Sequence, residues 1–131
     1  MSKRTDLISQ ITTNLAAHTN FSVSQELPFI SGGIPLYEKN MRTIYVDEQQ
    51  IEVGELYDTL DGQTINQTTT TIMAYMSLDA KEQLTDIDTV VANLLLARNG
   101  IANTIESTSE YETDIVNDVI TYTFEYNFTT V

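Results

Sequence analysis

Cysteine is missing from all 131 residues, and histidine occurs once, as His18. A disulfide framework, a thiolate zinc site and a cysteine nucleophile are therefore excluded, and one imidazole cannot make a multi-histidine metal centre. Positive charge is also scarce: six Lys+Arg stand against 19 Asp+Glu, a formal net charge of −13. Proteins that grip nucleic acid or a membrane surface through a basic patch need cations to displace counterions, so both classes are excluded. Long apolar runs are lacking too. Leu94-Leu95-Leu96-Ala97 is far too short to span a bilayer, and the basic start at Lys3-Arg4 leads into an amphipathic stretch rather than a signal-peptide core. The expectation is a protein made and assembled in a cytoplasm. What remains is 41% hydrophobic and 19% charged, a balance that can bury a core.

The scarce cations are unevenly placed. Residues 1–46 carry four cations and three anions, whereas residues 47–131 carry two cations and 16 anions. The segment 47–61 contains Asp47, Glu48, Glu52, Glu55, Asp58 and Asp61 with no base. Such a stretch is either a solvated acidic face or one half of a contact between oppositely charged surfaces.

Hydrophobic spacing predicts the elements. Leu7, Ile8, Ile11 and Leu15 share one helical face, with Thr5 as N-cap and His18 in the last turn. Phe21 to Leu27 alternates as a strand; Ser31-Gly32-Gly33-Ile34-Pro35 reads as a loop. A strand over Arg42–Val46 is expected to turn at Asp47-Glu48-Gln49-Gln50 and to return through Ile51 and Val53. Asp61-Gly62 is a second turn signal. The run Thr68–Thr71 fits a sheet edge or a loop equally well. Ile72, Ala74, Met76 and Leu78 alternate with Met73, Tyr75 and Ser77 as a central strand.

Thr85-Asp86-Ile87-Asp88 resembles a capping box ahead of a sheet-covering helix that carries Ile87, Val90, Val91, Leu94 and Leu95. Gly100 stands at the expected left-handed cap. Glu110 to Val116 reads as a strand, Asn117-Asp118 as a tight turn, and Val119 to Val131 as the clearest strand. Its aromatics Tyr122, Phe124, Tyr126 and Phe128 keep strict period two. The order α-β-β-β-β-α-β-β implies one α+β domain over residues 1–131, a mainly antiparallel sheet with two helices packed against it.

No pattern for chemistry emerges. Asp86-x-Asp88 and Asp58-x-x-Asp61-Gly62 fall short of a calcium loop, and no Gly-x-Ser-x-Gly elbow or phosphate-binding glycine loop is present. The chain is read as non-enzymatic, with no catalytic residue, cofactor or metal. A hydrolase would need His18 beside a carboxylate and a nucleophile.

This order of elements resembles the tail terminator (tail completion) proteins of tailed bacteriophages over nearly the whole chain. The likeness rests on the opening helix with Leu7, Ile8, Ile11 and Leu15, and on the strands around Ile44-Tyr45-Val46 and Ile72-Met73-Ala74-Tyr75-Met76. The helix Ile87 to Arg98 and the closing Tyr122-Thr123-Phe124-Glu125-Tyr126-Asn127-Phe128 complete it. The resemblance implies a structural virion protein, usually a homohexameric ring. Such a ring caps the tail tube, ends its polymerisation and presents a docking surface to the head connector, while DNA passes through without specific binding. In a ring, copies of charge −13 must still attract, so faces of opposite sign are expected, with Asp47, Glu48, Glu52 and Glu55 lining the channel or the subunit seam. A neck or head-completion adaptor and an acidic DNA-mimic inhibitor are the alternatives.

Overall fold

Period-two alternation in the second half of the chain builds the body of the molecule. The computed structural model describes residues 3–30, 34–58, 62, 64–82 and 86–130. In chain order the elements are α1 (Lys3–Asn14), β1 (Ser22–Val23), β2 (Phe29–Ile30), β3 (Ile34–Pro35) and the single-turn α2 (Leu36–Lys39). They continue with β4 (Thr43–Asp58), β5 (Thr64–Asp79), α3 (Ile87–Leu96), a 3-10 turn (Ala97–Gly100), β6 (Glu106–Val116) and β7 (Val119–Thr130). Strands β1-β4-β5-β7-β6 form one five-stranded sheet, antiparallel except where β1 joins β4; β2 and β3 form a small hairpin of their own. This is the α+β architecture expected from the sequence, with a third, very short helix added.

One face of the sheet is buried. Ile44 and Val46 of β4, Ile72, Ala74, Met76 and Leu78 of β5, and Phe124, Tyr126 and Phe128 of β7 meet Leu7, Ile8 and Ile11 of α1 and Val90, Val91 and Leu94 of α3 in one apolar cluster. Each fully buried side chain of this size contributes about 1.5–3 kcal/mol relative to exposure. The four aromatics of β7 do roof a helix: Tyr126 donates its hydroxyl to the Leu94 carbonyl of α3, which satisfies a polar group in the middle of the core.

The opposite face is partly covered at one end. There Phe29, Tyr37 and Tyr75 form an aromatic trio, with Tyr37 and Tyr75 stacked at 4.9 Å, while Asn40 Nδ2 donates to Tyr45 Oη at 2.8 Å. Burial raises the phenols of Tyr37 and Tyr75 above their ordinary range, with Glu38 adding to the first and Tyr37 and Asp47 to the second.

Several expectations are corrected. No turn occurs at Asp47–Gln50: β4 runs straight through, and a bulge at Gln49 absorbs one residue, so that Glu48 pairs with Ile72 and Gln50 with Thr71. The segment has no glycine, proline or asparagine to reverse the chain, and it finds a continuous partner in the threonine run. That run is central, held between β4 and β7. The reversal falls instead around Gly62, whose φ of 85° is the left-handed conformation glycine supplies.

The first strand shrinks to Ser22–Val23 because Ser24 Oγ accepts from the Glu26 amide and bends the chain away. Helix α1 begins at Lys3, ahead of Thr5, and ends at Asn14, ahead of His18. Gly100 lacks a positive φ; it sits where a Cβ would strike the Gln10 side chain, so it permits the close approach of α1. Thr85 lies outside the described residues. The Asn117-Asp118 turn is as expected, with φ of 51° and 63° and Val116 opposite Val119.

Burial pushes the Tyr126 phenol far above the ordinary value of 10.0. The folded protein keeps that proton when the unfolded chain releases it, so stability falls as pH rises past about 10. Tyr126→Phe is expected to cost about 1 kcal/mol at neutral pH through the lost hydrogen bond. Its stability should then decline less between pH 10 and 11 than that of the parent, read by chemical denaturation at each pH.

Candidate interaction surface

Register decides where the acidic side chains go. On the uncovered face, one row crosses four strands: Asp47 of β4, Met73 of β5, Glu125 of β7 and Glu110 of β6 are successive neighbours. The next row in one direction is Tyr45, Tyr75, Thr123 and Glu112. In the other direction come Gln50, Thr71, Asn127 and Thr108, then Glu52, Thr69, Thr129 and Glu106. Asp114 joins the same face opposite Thr121.

The neutral positions bond among themselves, as Thr71 Oγ1 donates to Asn127 Oδ1 at 2.7 Å. Two carboxylates accept from neighbouring amides, Asp47 Oδ2 from Gln49 Nε2 at 2.7 Å and Glu125 Oε2 from Asn127 Nδ2 at 3.4 Å, but neither amide carries a charge to offset theirs. Glu110 and Glu125 stand directly opposite each other as a like-charge pair, an unfavourable arrangement in a sheet. Between Met73, Glu110, Glu112, Thr123 and Glu125 lies a shallow depression of about 300 Å³.

Of the four acids singled out in the sequence, Asp47 and Glu52 lie on this face. Glu48, opposite Ile72, belongs to the helix-covered side, and the backbone of Glu55 pairs with Asn66 farther along the hairpin. Strand alternation separates Asp47 from Glu48, and the bulge then returns Glu52 to the side of Asp47. The four do not form one cluster. Glu110, Glu112 and Glu125 were missed, although Glu110-x-Glu112-x-Asp114 is a period-two acidic pattern legible once β6 is read as a strand.

The cations are engaged inside the subunit. Arg4 Nε donates to the Val46 carbonyl at 2.7 Å, and its Nη2 to the Gln25 carbonyl at 2.9 Å, capping β4 where its pairing with β1 ends. Lys3 Nζ donates to the Ala102 carbonyl at 2.8 Å and to Thr104 Oγ1 at 3.1 Å. Arg42 pairs with Glu82, and Lys81 Nζ lies 3.3 Å from Asp118 Oδ2. Arg98 Nη1 donates to Ser109 Oγ at 2.7 Å. The Lys39 side chain is not among those described. Every other Lys and Arg therefore has a partner within its own chain, which leaves copies little cationic surface with which to attract one another.

His18 meets one condition for a hydrolase. Its Nδ1 lies 3.0 Å from Asp86 Oδ2, but its Nε2 accepts from Asn93 Nδ2 at 3.2 Å. With Asn93 donating to Nε2, the ring proton sits on Nδ1 and points at Asp86. Both ring nitrogens thus fasten the segment that follows α1 to α3, and Asp86 serves this joint rather than capping α3 with its side chain. Among the described residues no group of three or more His, Asp or Glu could hold a metal ion. No helix among them is long and apolar enough to cross a membrane. No known protein family matches the chain, and no curated protein matches it.

Glu110→Lys replaces the repulsive pair with an attractive one. It is expected to raise stability by about 0.5–1 kcal/mol at low ionic strength, with the gain shrinking in 1 M salt, measured by denaturant titration.

Proposed function

We propose that this chain is a structural assembly subunit of a phage tail. Copies form a ring, taken as a hexamer, that caps the tail tube, stops its growth and offers a surface to the head connector. The observation that carries the reading is the β4–β5 hairpin. β7 ends opposite Thr68, so among the described residues Gly54–Asp58 and Thr64–Gln67 pair only with each other and extend beyond the rest of the sheet by about 15 Å. A two-stranded ribbon is marginal alone in water and gains stability by lying on a neighbour.

At its root, Ile51 and Val53 are 58% and 64% exposed on the side of the sheet that the helices cover elsewhere. An apolar pair at the base of a protruding arm suits a head-to-tail contact between identical subunits, which closes into a ring. This contact draws on apolar surface rather than on opposite charges, since the described cations are already paired. The uncovered face, with Asp47 and Glu52 among its carboxylates, supports a place on the channel wall, because it offers passing DNA no strand-borne cation to hold.

Added to polymerising tail-tube protein, the chain is expected to shorten the tubes and leave a cap at one end, scored by electron microscopy. Ile51→Thr with Val53→Thr keeps strand propensity, should change subunit stability by less than about 0.5 kcal/mol, and should weaken capping at least tenfold. Tubes of unchanged length at saturating protein would refute the reading.

A further inference from the structure

Along an edge strand, every second residue points its N–H and C=O away from the sheet. β6 is such an edge for all 11 residues, with β7 as its only strand neighbour among the described residues. Edges of this length are ordinarily blunted by charged side chains, above all lysine, by proline, a bulge or a cover, and the charges on β6 are all acidic. β6 contains no lysine or proline and keeps unbroken register with β7, and every residue from Glu110 to Val116 is exposed. Its two sides differ. Glu110, Glu112 and Asp114 lie on the uncovered face of the sheet. Tyr111 and Ile115, 47% and 63% exposed, lie on the other.

We infer that this edge accepts an extended strand from a different protein, one with Lys or Arg at every second position and apolar residues between. A strand laid against β6 brings its alternate side chains within about 5 Å of Glu110, Glu112 and Asp114. A cation there relieves the Glu110–Glu125 repulsion. The charged head of such a lysine or arginine reaches the Glu110 and Glu112 margin of the depression, with its methylene stem lying over β6. The intervening apolar residues meet Tyr111 and Ile115.

A second copy of this chain does not fit. None of the described strands contains a Lys or Arg, so pairing β6 with another β6, or with the open side of β4, sets carboxylate against carboxylate. The edge is thereby closed to its own kind and open to a basic strand. The inference stands apart from the ring-capping reading and survives its failure.

The test uses the full chain and a synthetic nonapeptide with lysine at alternate positions and valine or tyrosine between. Its control is an isomer of the same composition with the lysines gathered at one end. The alternating peptide should bind at least tenfold more tightly than the isomer and should slow hydrogen exchange at β6 amides. The triple variant Glu110→Lys, Glu112→Lys, Asp114→Lys should lose at least tenfold in affinity. It should instead bind a peptide with glutamates in place of the lysines, a gain that an unfolded variant would not show. Glu112→Gln, a milder change at an exposed position, should weaken binding of the lysine peptide two- to fivefold. Equal affinity for the two isomers, binding without slower exchange in β6, or unaltered binding by both variants would overturn the inference.

Discussion

Burial of Phe124, Tyr126 and Phe128 beneath α3 fixes the direction of nearly every other side chain in the sheet. A strand has two sides, and once the aromatic side of β7 is committed to the core, its register with β5 and β6 assigns each neighbouring residue to the core or to the open face. The acidic row from Asp47 to Glu110 is a consequence of that commitment: four residues from distant parts of the chain are aligned because their strand neighbours are buried. The buried hydroxyl of Tyr126, satisfied by the Leu94 carbonyl, anchors the helix to the strand that sets the pattern.

Much of this was legible in the sequence. The amphipathic spacing of Leu7, Ile8 and Ile11, the helix from Ile87 to Leu96, and the alternation from Val119 onward each point to their observed elements, because hydrophobic period reports directly on burial. Punctuation was harder to read. Asp47–Gln50 looked like a turn because it is polar, yet polarity marks an exposed stretch of strand as readily as a loop. Ser31–Pro35 reads as a loop; residues 31–33 lie outside the described residues, while Ile34-Pro35 pair with Phe29-Ile30 as one strand of a small hairpin, and Tyr37 just beyond it stacks on Tyr75. The acidic surface was legible only in part. Glu110, Glu112 and Asp114 follow the strand period, but their meeting with Glu125 and Asp47 depends on pairing between strands far apart in sequence, which no local pattern encodes.

Charge in this subunit is divided by structural role. The described lysines and arginines close backbone carbonyls and local acids, as Arg4 does at the margin of β4 and Arg98 does through Ser109. In the described strands every charged side chain is acidic. On the ring reading proposed above, attraction between copies would come from apolar contact, and attraction to a positively charged partner would fall to the open face and the β6 margin.

The extra residue at Gln49 works as a phase shifter in β4. Ahead of it, even-numbered positions look toward the helices; after it, as far as a second bulge between Glu55 and Tyr57, odd-numbered ones do, which is why Ile51 and Val53 come out on that side and Glu52 on the other. Deleting Gln49 would leave Gln50 opposite Thr71 in an unbroken ladder, so Ile51 and Val53 would keep their side while the local twist that the bulge adds would be lost. The bulge thus tolerates the loss of one residue without re-aiming the exposed Ile51 and Val53, giving a lineage a place to alter the twist of the ribbon without rebuilding the body of the sheet.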